Sequence, residues 1–212
     1  MILPAAFYAR PTLEVLADLI GKVLVHDRRG RRTAGVIVEG EAYIGESDPA
    51  CHAAPGPTPR NQPLYGPPGR AYVYFNYGMH YLVNAVTEAE GFPAAVLLRA
   101  LEPLEGLPLM RRRRGSFSEN DPRRRQLCRG PGNLTRAMGI DLRQNRVDLT
   151  SGPLVIEDRG IRPEALAWSP RIGIRVGTRH AWRCCWAGHP SVSGPAATAI
   201  GRTTGGRRSD RR

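Results

Sequence analysis

The sequence lacks the features of several protein classes. No apolar run approaches the roughly 20 residues that a membrane-spanning helix needs, and no basic segment precedes an apolar one near the amino terminus, so no secretory signal is predicted. The four cysteines show no CxxC spacing, which excludes a zinc ribbon and a thioredoxin motif. The adjacent Cys184 and Cys185 are a poor disulfide pair, so we expect reduced core cysteines in a cytoplasmic protein.

Lysine is also nearly absent. Lys22 is the only one, so arginine supplies almost all of the positive charge, with 31 basic against 19 acidic residues. The formal charge of +12 favours an anionic partner, and the phosphate backbone of a nucleic acid is the commonest such partner. The runs Arg111–Arg114 and Arg123–Arg125 support polyanion binding without identifying the polyanion.

The pattern of the chain indicates one α+β domain. We expect that domain over residues 1–193 and a basic, disordered tail over 194–212, because the tail is rich in glycine, serine, threonine and arginine without periodicity. Strands outnumber helices and no βαβ alternation occurs, which favours a largely antiparallel sheet. Hydrophobic periodicity and turn residues predict helices over 11–20, 102–114 and 130–139, and strands over 22–28, 31–43, 71–77, 79–86, 93–101, 154–158 and 171–176.

Two carboxylates share a strand with an aromatic residue. Because side chains alternate along a strand, Glu39, Glu41 and Tyr43 are predicted to lie on one face. At least one of the glutamates is expected at the rim of a cavity, although a solvated strand face is the plain alternative. The spacing of these glutamates, Asp48 and His52 also allows a metal site, which is weakly supported because no second histidine or cysteine recurs at ligand spacing.

The predicted hairpin around Gly78 is unusually rich in tyrosine. Tyr72, Tyr74 and Tyr81 fit ordinary core or cross-strand packing. Tyr77 differs because it directly precedes the turn, where a large exposed aromatic side chain needs a partner. In a basic protein, a wedge that unstacks a base step would explain its position.

These segments together resemble the alkyladenine (3-methyladenine) DNA glycosylase family of base-excision repair. The resemblance covers roughly the first three quarters of the chain, in the family's order. It rests on VEGEAYIG followed by His52, TPRN at 58–61, YVYFNYGM at 72–79, VLLRALEPLEG at 96–106 and LCRGPGNL at 127–134. It departs from the family at His80, at Cys184-Cys185-Trp186, at His189 and in the arginine-rich tail, so different packing of the C-terminal part is expected.

The resemblance implies a curved, mainly antiparallel sheet with flanking helices and a protruding hairpin that inserts into DNA. It also implies a role for each matching residue: Glu41 as the general base, Arg99 near the water and the DNA backbone, Tyr43, His52 and Tyr74 around the extruded base, Asn84 at the pocket floor where it excludes guanine, and Tyr77 intercalated in the duplex.

The implied activity is hydrolysis of the N-glycosidic bond of flipped-out alkylated purines in double-stranded DNA, such as 3-methyladenine or 7-methylguanine, with hypoxanthine and ethenoadenine as further candidate substrates. Strand-cleaving glycosylases form a Schiff base through an amine, and the one lysine lies outside every motif, so a monofunctional enzyme is expected. We expect a bacterial, nucleoid-associated monomer without cofactor or metal. The alternatives are a non-enzymatic nucleic-acid-binding module and a metal-dependent nuclease.

Overall fold

The computed structural model describes residues 1–76, 78–115 and 121–195, with the backbone alone at Pro122. Its helices are α1 (Ala5–Tyr8), α2 (Thr12–Leu19), α3 (Leu107–Arg114) and α4 (Pro131–Met138). Its strands are β1 (Val23–Arg28), β2 (Arg31–Ile44), β3 (Ala71–Asn76), β4 (His80–Val86), β5 (Ala94–Glu105), β6 (Leu154–Glu157), β7 (Leu166–Ser169) and β8 (Arg183–Trp186). Short 3-10 helices cover Gln62–Tyr65, Pro122–Gln126 and Leu142–Gln144.

All the strands belong to one curled, antiparallel sheet. The main path runs β3-β4-β5-β2-β1-β6, and β8 pairs with both β2 and β7. The apolar faces of α2 and α4 pack on the sheet, so that Leu16, Leu19, Leu134 and Met138 are fully buried in the main core. The predicted α+β class and the largely antiparallel sheet are therefore confirmed.

Strand β2 is the centre of the sheet. Its 14 residues pair with β5 on one side and successively with β1 and β8 on the other. Gly40 lets α2 approach closely, because a Cβ atom there would lie 2.7 Å from Leu16 Cδ1. The flanking residues Glu39 and Glu41 are fully buried. A solvated strand face is thus the wrong interpretation of the two glutamates.

One row of side chains crosses four strands. Glu41 of β2 pairs with Leu97 of β5, Leu97 pairs with Asn84 of β4, and Asn84 pairs with Tyr72 of β3. Directly paired residues of an antiparallel sheet project to the same face. The row therefore brings the glutamate of β2 onto the same face as the aromatic hairpin.

The sequence pattern placed most elements correctly, but two predicted elements are wrong in extent or in type and several observed elements were not predicted. The predicted helix over 102–114 begins only at Leu107, because residues 102–105 still pair with β2 and Gly106 breaks the strand at φ 74°. The predicted strand over 171–176 is not a strand, because Gly173 and Gly177 have φ of 79° and 64°. Strands β7 and β8 were not predicted.

The predictions about the cysteines, a membrane span and the C-terminal tail have different outcomes. All four cysteines are buried and unpaired, as predicted. Within the described residues, no helix has the length and apolar character required to cross a membrane. Of the tail predicted over 194–212, only Gly194 and Pro195 are described, so its disorder stays a prediction.

Candidate active site

A cavity of about 390 Å³ opens on the face that carries the cross-strand row. The sequence-predicted residues Tyr43, His52, Tyr74, Asn84 and Arg99 all line it. Other residues complete the wall: Ala50, Cys51, Leu64, Tyr72, Asn76, Leu82, Ala95, Leu97, Pro131, Ile172, Gly173 and Ile174. The structure thus gathers the predicted pocket residues around one cavity.

Three aromatic rings form one wall of this cavity. The centroids of His52 and Tyr74 lie 4.4 Å apart with an interplanar angle of 63°, and Tyr72 and Tyr74 are tilted rings at 5.2 Å. The Nδ1 atom of His52 lies 2.8 Å from the hydroxyl oxygen of Tyr72. Burial, together with the nearby Arg60, lowers the pKa of His52, and burial raises the pKa of Tyr72 to about 12. His52 and Tyr72 are therefore uncharged near neutral pH.

Glu41 lies directly behind the cavity wall. Its Oε1 accepts a hydrogen bond from the Ile172 backbone N–H at 2.7 Å, and its Oε2 accepts one from the Tyr43 hydroxyl at 2.9 Å. Arg99 Nη1 lies 3.2 Å from the same Oε2. Burial raises the pKa of Glu41, and Arg99 and these two donors only partly oppose that effect. Glu41 is consequently a carboxylate with increased proton affinity, fixed against three groups that line the cavity.

Glu39 holds Arg99 in place from the other side. Its Oε1 accepts from Arg99 Nε at 3.0 Å and from Arg183 Nε at 2.7 Å, while its Oε2 accepts from the Ser193 backbone N–H at 2.6 Å. Burial alone would lower the pKa of Arg99, but Glu41 and Glu39 outweigh it and raise that pKa. The guanidinium is therefore a permanent cation between two buried carboxylates.

A second buried ion pair supports the Tyr43 side of the cavity. Arg171 donates to both carboxylate oxygens of Asp48, at 2.6 and 2.8 Å, and both side chains are fully buried. The guanidinium also lies 4.7 Å from the centroid of the Tyr43 ring and 5.0 Å from that of Trp182. Arg171 therefore supports the Tyr43 ring. The residue after it, Ile172, donates its backbone N–H to Glu41.

Sequence reasoning missed several residues of this site. Asp48 was considered only as a metal ligand, whereas its oxygens are bound to Arg171, and no group of three or more histidine, cysteine or acidic side chains is placed to hold a metal within the described residues. Tyr72 could have been found, because it shares the strand face of Tyr74 by alternation. Arg171 and Arg183 carry no local signal. Tyr77, the predicted wedge, lies outside the described residues.

The departures from the family pattern leave the cavity residues in place. Cys184 and Cys185 are buried in β8, next to Arg183, and are paired with β2. The Nδ1 atom of His189 accepts a hydrogen bond from the Ser191 backbone N–H at 3.2 Å. His80 packs against Gly132, where a Cβ atom would lie 2.7 Å from the imidazole Cγ. None of these residues lines the cavity.

Comparison with known proteins places this geometry in a family. The family model described as methylpurine-DNA glycosylase matches residues 6–190. A Burkholderia lata protein named "Putative 3-methyladenine DNA glycosylase" is 48% identical over 197 residues, covering 92% of each chain. A protein with the same name from Chlorobaculum tepidum is 46% identical over 90% of each chain. Another from Carboxydothermus hydrogenoformans is 47% identical over 84% of this chain and 91% of the relative. The chain belongs to the methylpurine-DNA glycosylase family.

Proposed function

We propose that the protein is a monofunctional DNA glycosylase that removes alkylated purines by hydrolysis, with Glu41 as the general base. The observation that carries the proposal is the buried Glu41 carboxylate, held behind a cavity with aromatic walls by Tyr43, Arg99 and the Ile172 backbone. A target atom inside a duplex is out of reach of such a buried group, so the nucleotide has to be flipped out into the cavity.

The cavity suits a cationic purine. Its volume of about 390 Å³ falls in the range of small-molecule sites, about 300–1,000 Å³. A purine methylated at N3 or N7 is positively charged and stacks favourably on electron-rich rings such as those of Tyr43 and Tyr74. Because burial and Arg60 lower the pKa of His52, this imidazole does not repel the cation at neutral pH.

The proposed reaction needs a base more than an acid. A water oxygen bonds to the sugar C1′ atom while the N-glycosidic bond breaks, and the bonding electrons neutralise the departing cationic base. Glu41 takes the proton of the water, and its negative charge favours the oxocarbenium-like sugar. The raised pKa of Glu41 makes it a stronger base than an ordinary glutamate, and Arg99 is placed to orient the water or a phosphate.

The hairpin of β3 and β4 is the proposed element that enters the duplex. Two apolar side chains of the hairpin, Phe75 and Met79, are 44% and 71% exposed on either side of the turn. Arg60 donates to the Phe75 carbonyl at 3.2 Å and so contacts the hairpin close to its turn. Within this proposal Tyr77 fills the space that the flipped nucleotide leaves, which would offset an unpairing cost of a few kcal/mol.

Lys22 supports a reaction without strand cleavage. Its Nζ atom donates to Asp158 Oδ2 at 2.7 Å, and the lysine does not line the cavity. A Schiff base with the C1′ atom would require an amine at the reaction centre. We therefore expect borohydride to trap no covalent complex between the protein and DNA.

Glu41→Gln tests the proposal directly. The variant should bind lesion-containing duplex like the wild type while base release slows about 10²- to 10⁴-fold, the usual contribution of a general base. Base release by the wild type should fall as the pH drops through a value above 4.5, because the pKa of Glu41 is raised from that value and the base must be ionised. Single-turnover release from 3-methyladenine duplexes measures both effects.

Glu90→Gln is the matched control, because Glu90 is exposed and does not line the cavity. Wild-type rates in Glu41→Gln would overturn the general-base role, and absence of base release by the wild type would favour a binding module. The same assay on 7-methylguanine, hypoxanthine and ethenoadenine duplexes defines the substrate range and tests whether Asn84 disfavours guanine-type bases.

A further inference from the structure

A second concave site lies away from the proposed active site. We call it the arginine cradle: Arg28, Arg29 and Arg31 at the β1–β2 turn, and Arg112 and Arg113 on α3, with Leu109 beside them. Its volume is about 350 Å³. Nothing in the proposed base excision uses these residues.

The cradle gathers positive charges that no nearby carboxylate neutralises within the described residues. In the part of the chain that the structure describes, no carboxylate lies within 4.0 Å of any of its guanidinium groups; Asp141, which interacts weakly with Arg28, is bound to Arg143. Burial lowers the pKa of Arg113, and the like charges of Arg28, Arg112 and Arg31 add to the effect. Such gathered cations repel one another until an anion binds among them.

The tight turn of the cradle uses an arginine where another residue would be easier to accommodate. Arg29 and Gly30 form the two-residue connection between β1 and β2, with φ of 54° and 72°. Such turns favour asparagine or glycine at both central positions, and a left-handed conformation is unfavourable for a residue with a larger side chain. This position therefore supplies a cation despite backbone strain.

The floor of the cradle is fixed. Arg113 Nη1 donates to the Ala137 carbonyl at 2.9 Å, near the C-terminal end of α4. Its guanidinium packs on Gly139, where a Cβ atom would lie 2.7 Å from Arg113 Cζ. Arg29, Arg31 and Arg112 are exposed above this anchored group. The site thus combines one positioned guanidinium with several that are available to a ligand.

The cradle and the proposed active site lie at opposite ends of β2. Arg31 is its first residue and Glu41 lies ten positions further on, which corresponds to roughly 30 Å along a strand. A duplex of about 12 base pairs with a central lesion extends only about 20 Å to either side of it. Such a duplex in the active site is too short to reach the cradle along the strand.

We propose that the arginine cradle binds the phosphodiester backbone of a DNA segment other than the one that supplies the flipped base. Guanidinium groups bind phosphate oxygens in forked geometry, and arrays of them bind the nucleic-acid backbone through release of counterions. One protein molecule then contacts two DNA segments. The choice of DNA as the polyanion rests on the proposed function.

The test is formation of a ternary complex. The protein is saturated with a donor-labelled lesion duplex of about 12 base pairs and titrated with an acceptor-labelled, undamaged duplex of the same length. We expect energy transfer, and sedimentation should give one protein molecule per two duplexes. Absence of a ternary complex, or a complex that contains two protein molecules, overturns the inference.

The double variant Arg31→Gln/Arg112→Gln should weaken binding of the second duplex at least tenfold and lower the salt slope by about two. Arg70→Gln/Arg162→Gln is the control with the same change in charge, because the side chains of Arg70 and Arg162 are 42% and 60% accessible to solvent and pair with Asp148 and Asp158. It should change the affinity less than twofold. Equal weakening by the two variants would mean that net charge alone explains the affinity for the second duplex. That result would contradict the proposed role of the cradle.

Base release from the first duplex separates this inference from the proposed function. Normal release without a second-duplex complex overturns the cradle alone. A ternary complex without release overturns the glycosylase activity and leaves the cradle as a nucleic-acid site.

Discussion

Two groups of arginines in this molecule differ in burial and in pairing. Around the candidate active site, Arg171 and Arg183 are almost completely buried and Arg99 nearly so, and each is bound to a carboxylate at 3.2 Å or less. In the arginine cradle, five arginines face one concavity, and no carboxylate of the described residues forms an ion pair with any of them.

The difference follows from solvation. A guanidinium removed from water requires an opposite charge and hydrogen bonds, because burial of an unpaired charge costs several kcal/mol. At the surface, water and salt screen repulsion between like charges, so that unpaired arginines are tolerated. The paired arginines therefore fix the geometry around Glu41 and Tyr43, whereas the cradle arginines keep their charge available for a polyanion.

The largest effect is expected from Glu39→Gln, which leaves Arg99 and Arg183 buried with less than their full compensating charge. Breaking a buried ion pair from one side costs about 3–5 kcal/mol, so the free energy of unfolding in urea should fall by that amount. Glu105→Gln is the matched control, since its partly exposed pairs with Arg32 and Arg159 are closer to surface pairs, which are worth about 0.2–1 kcal/mol. Equal losses would remove the distinction between buried and exposed pairs.

A somewhat smaller and pH-dependent effect is expected from Asp48→Asn. Burial alone would raise the pKa of Asp48, but Arg171 and the backbone N–H groups outweigh it and hold the pKa below 3.8. Because the folded pKa lies below the unfolded one, the ionised pair adds stability above pH 3.8 and loses it as the pH falls through the folded value.

Urea unfolding at a series of pH values checks this prediction. The deficit of Asp48→Asn should be on the order of 3 kcal/mol near neutral pH and shrink toward zero in strong acid, as the wild-type carboxyl group becomes protonated. A deficit that is constant down to about pH 2 would show that the ionised pair is not the source of the stability.

The smallest effect on folding is expected in the cradle. Arg31→Gln/Arg112→Gln should change the free energy of unfolding by no more than about 0.5 kcal/mol and should increase it at low salt, where the remaining repulsion is least screened. The same urea titrations at low and high salt measure this. A loss above about 1 kcal/mol at either salt concentration would mean that the cradle arginines hold the fold together.

Much of the candidate site was predictable because its residues occur in local motifs. Glu41, Tyr43, His52, Tyr74 and Asn84 lie within consecutive strands and one loop, and the motif and alternation patterns identified them. Their predicted catalytic roles remain proposals. Glu39 received no role from the sequence, because its function is visible only once Arg99 and Arg183 are placed against it.

The residues that sequence reasoning missed depend on distant partners. Arg171 and Asp48 are separated by 123 positions and Arg183 and Glu39 by 144. No local periodicity specifies such a pair. The wrong strand over 171–176 has a partly local origin, since Gly173 has a φ of 79°, but the Ile172 N–H also binds the distant Glu41 carboxylate instead of a neighbouring strand.

The sequence alone determined the arginine-based charge of +12, most helices and strands, and the family motifs, because each of these depends on composition or short-range order. The tertiary structure decided which arginines are paired and which remain available, because that choice depends on the water and the carboxylates around each side chain. Folding buries Arg99, Arg171 and Arg183 against acids from remote segments. It leaves Arg31 and Arg112 exposed in the cradle, although all five are the same residue type.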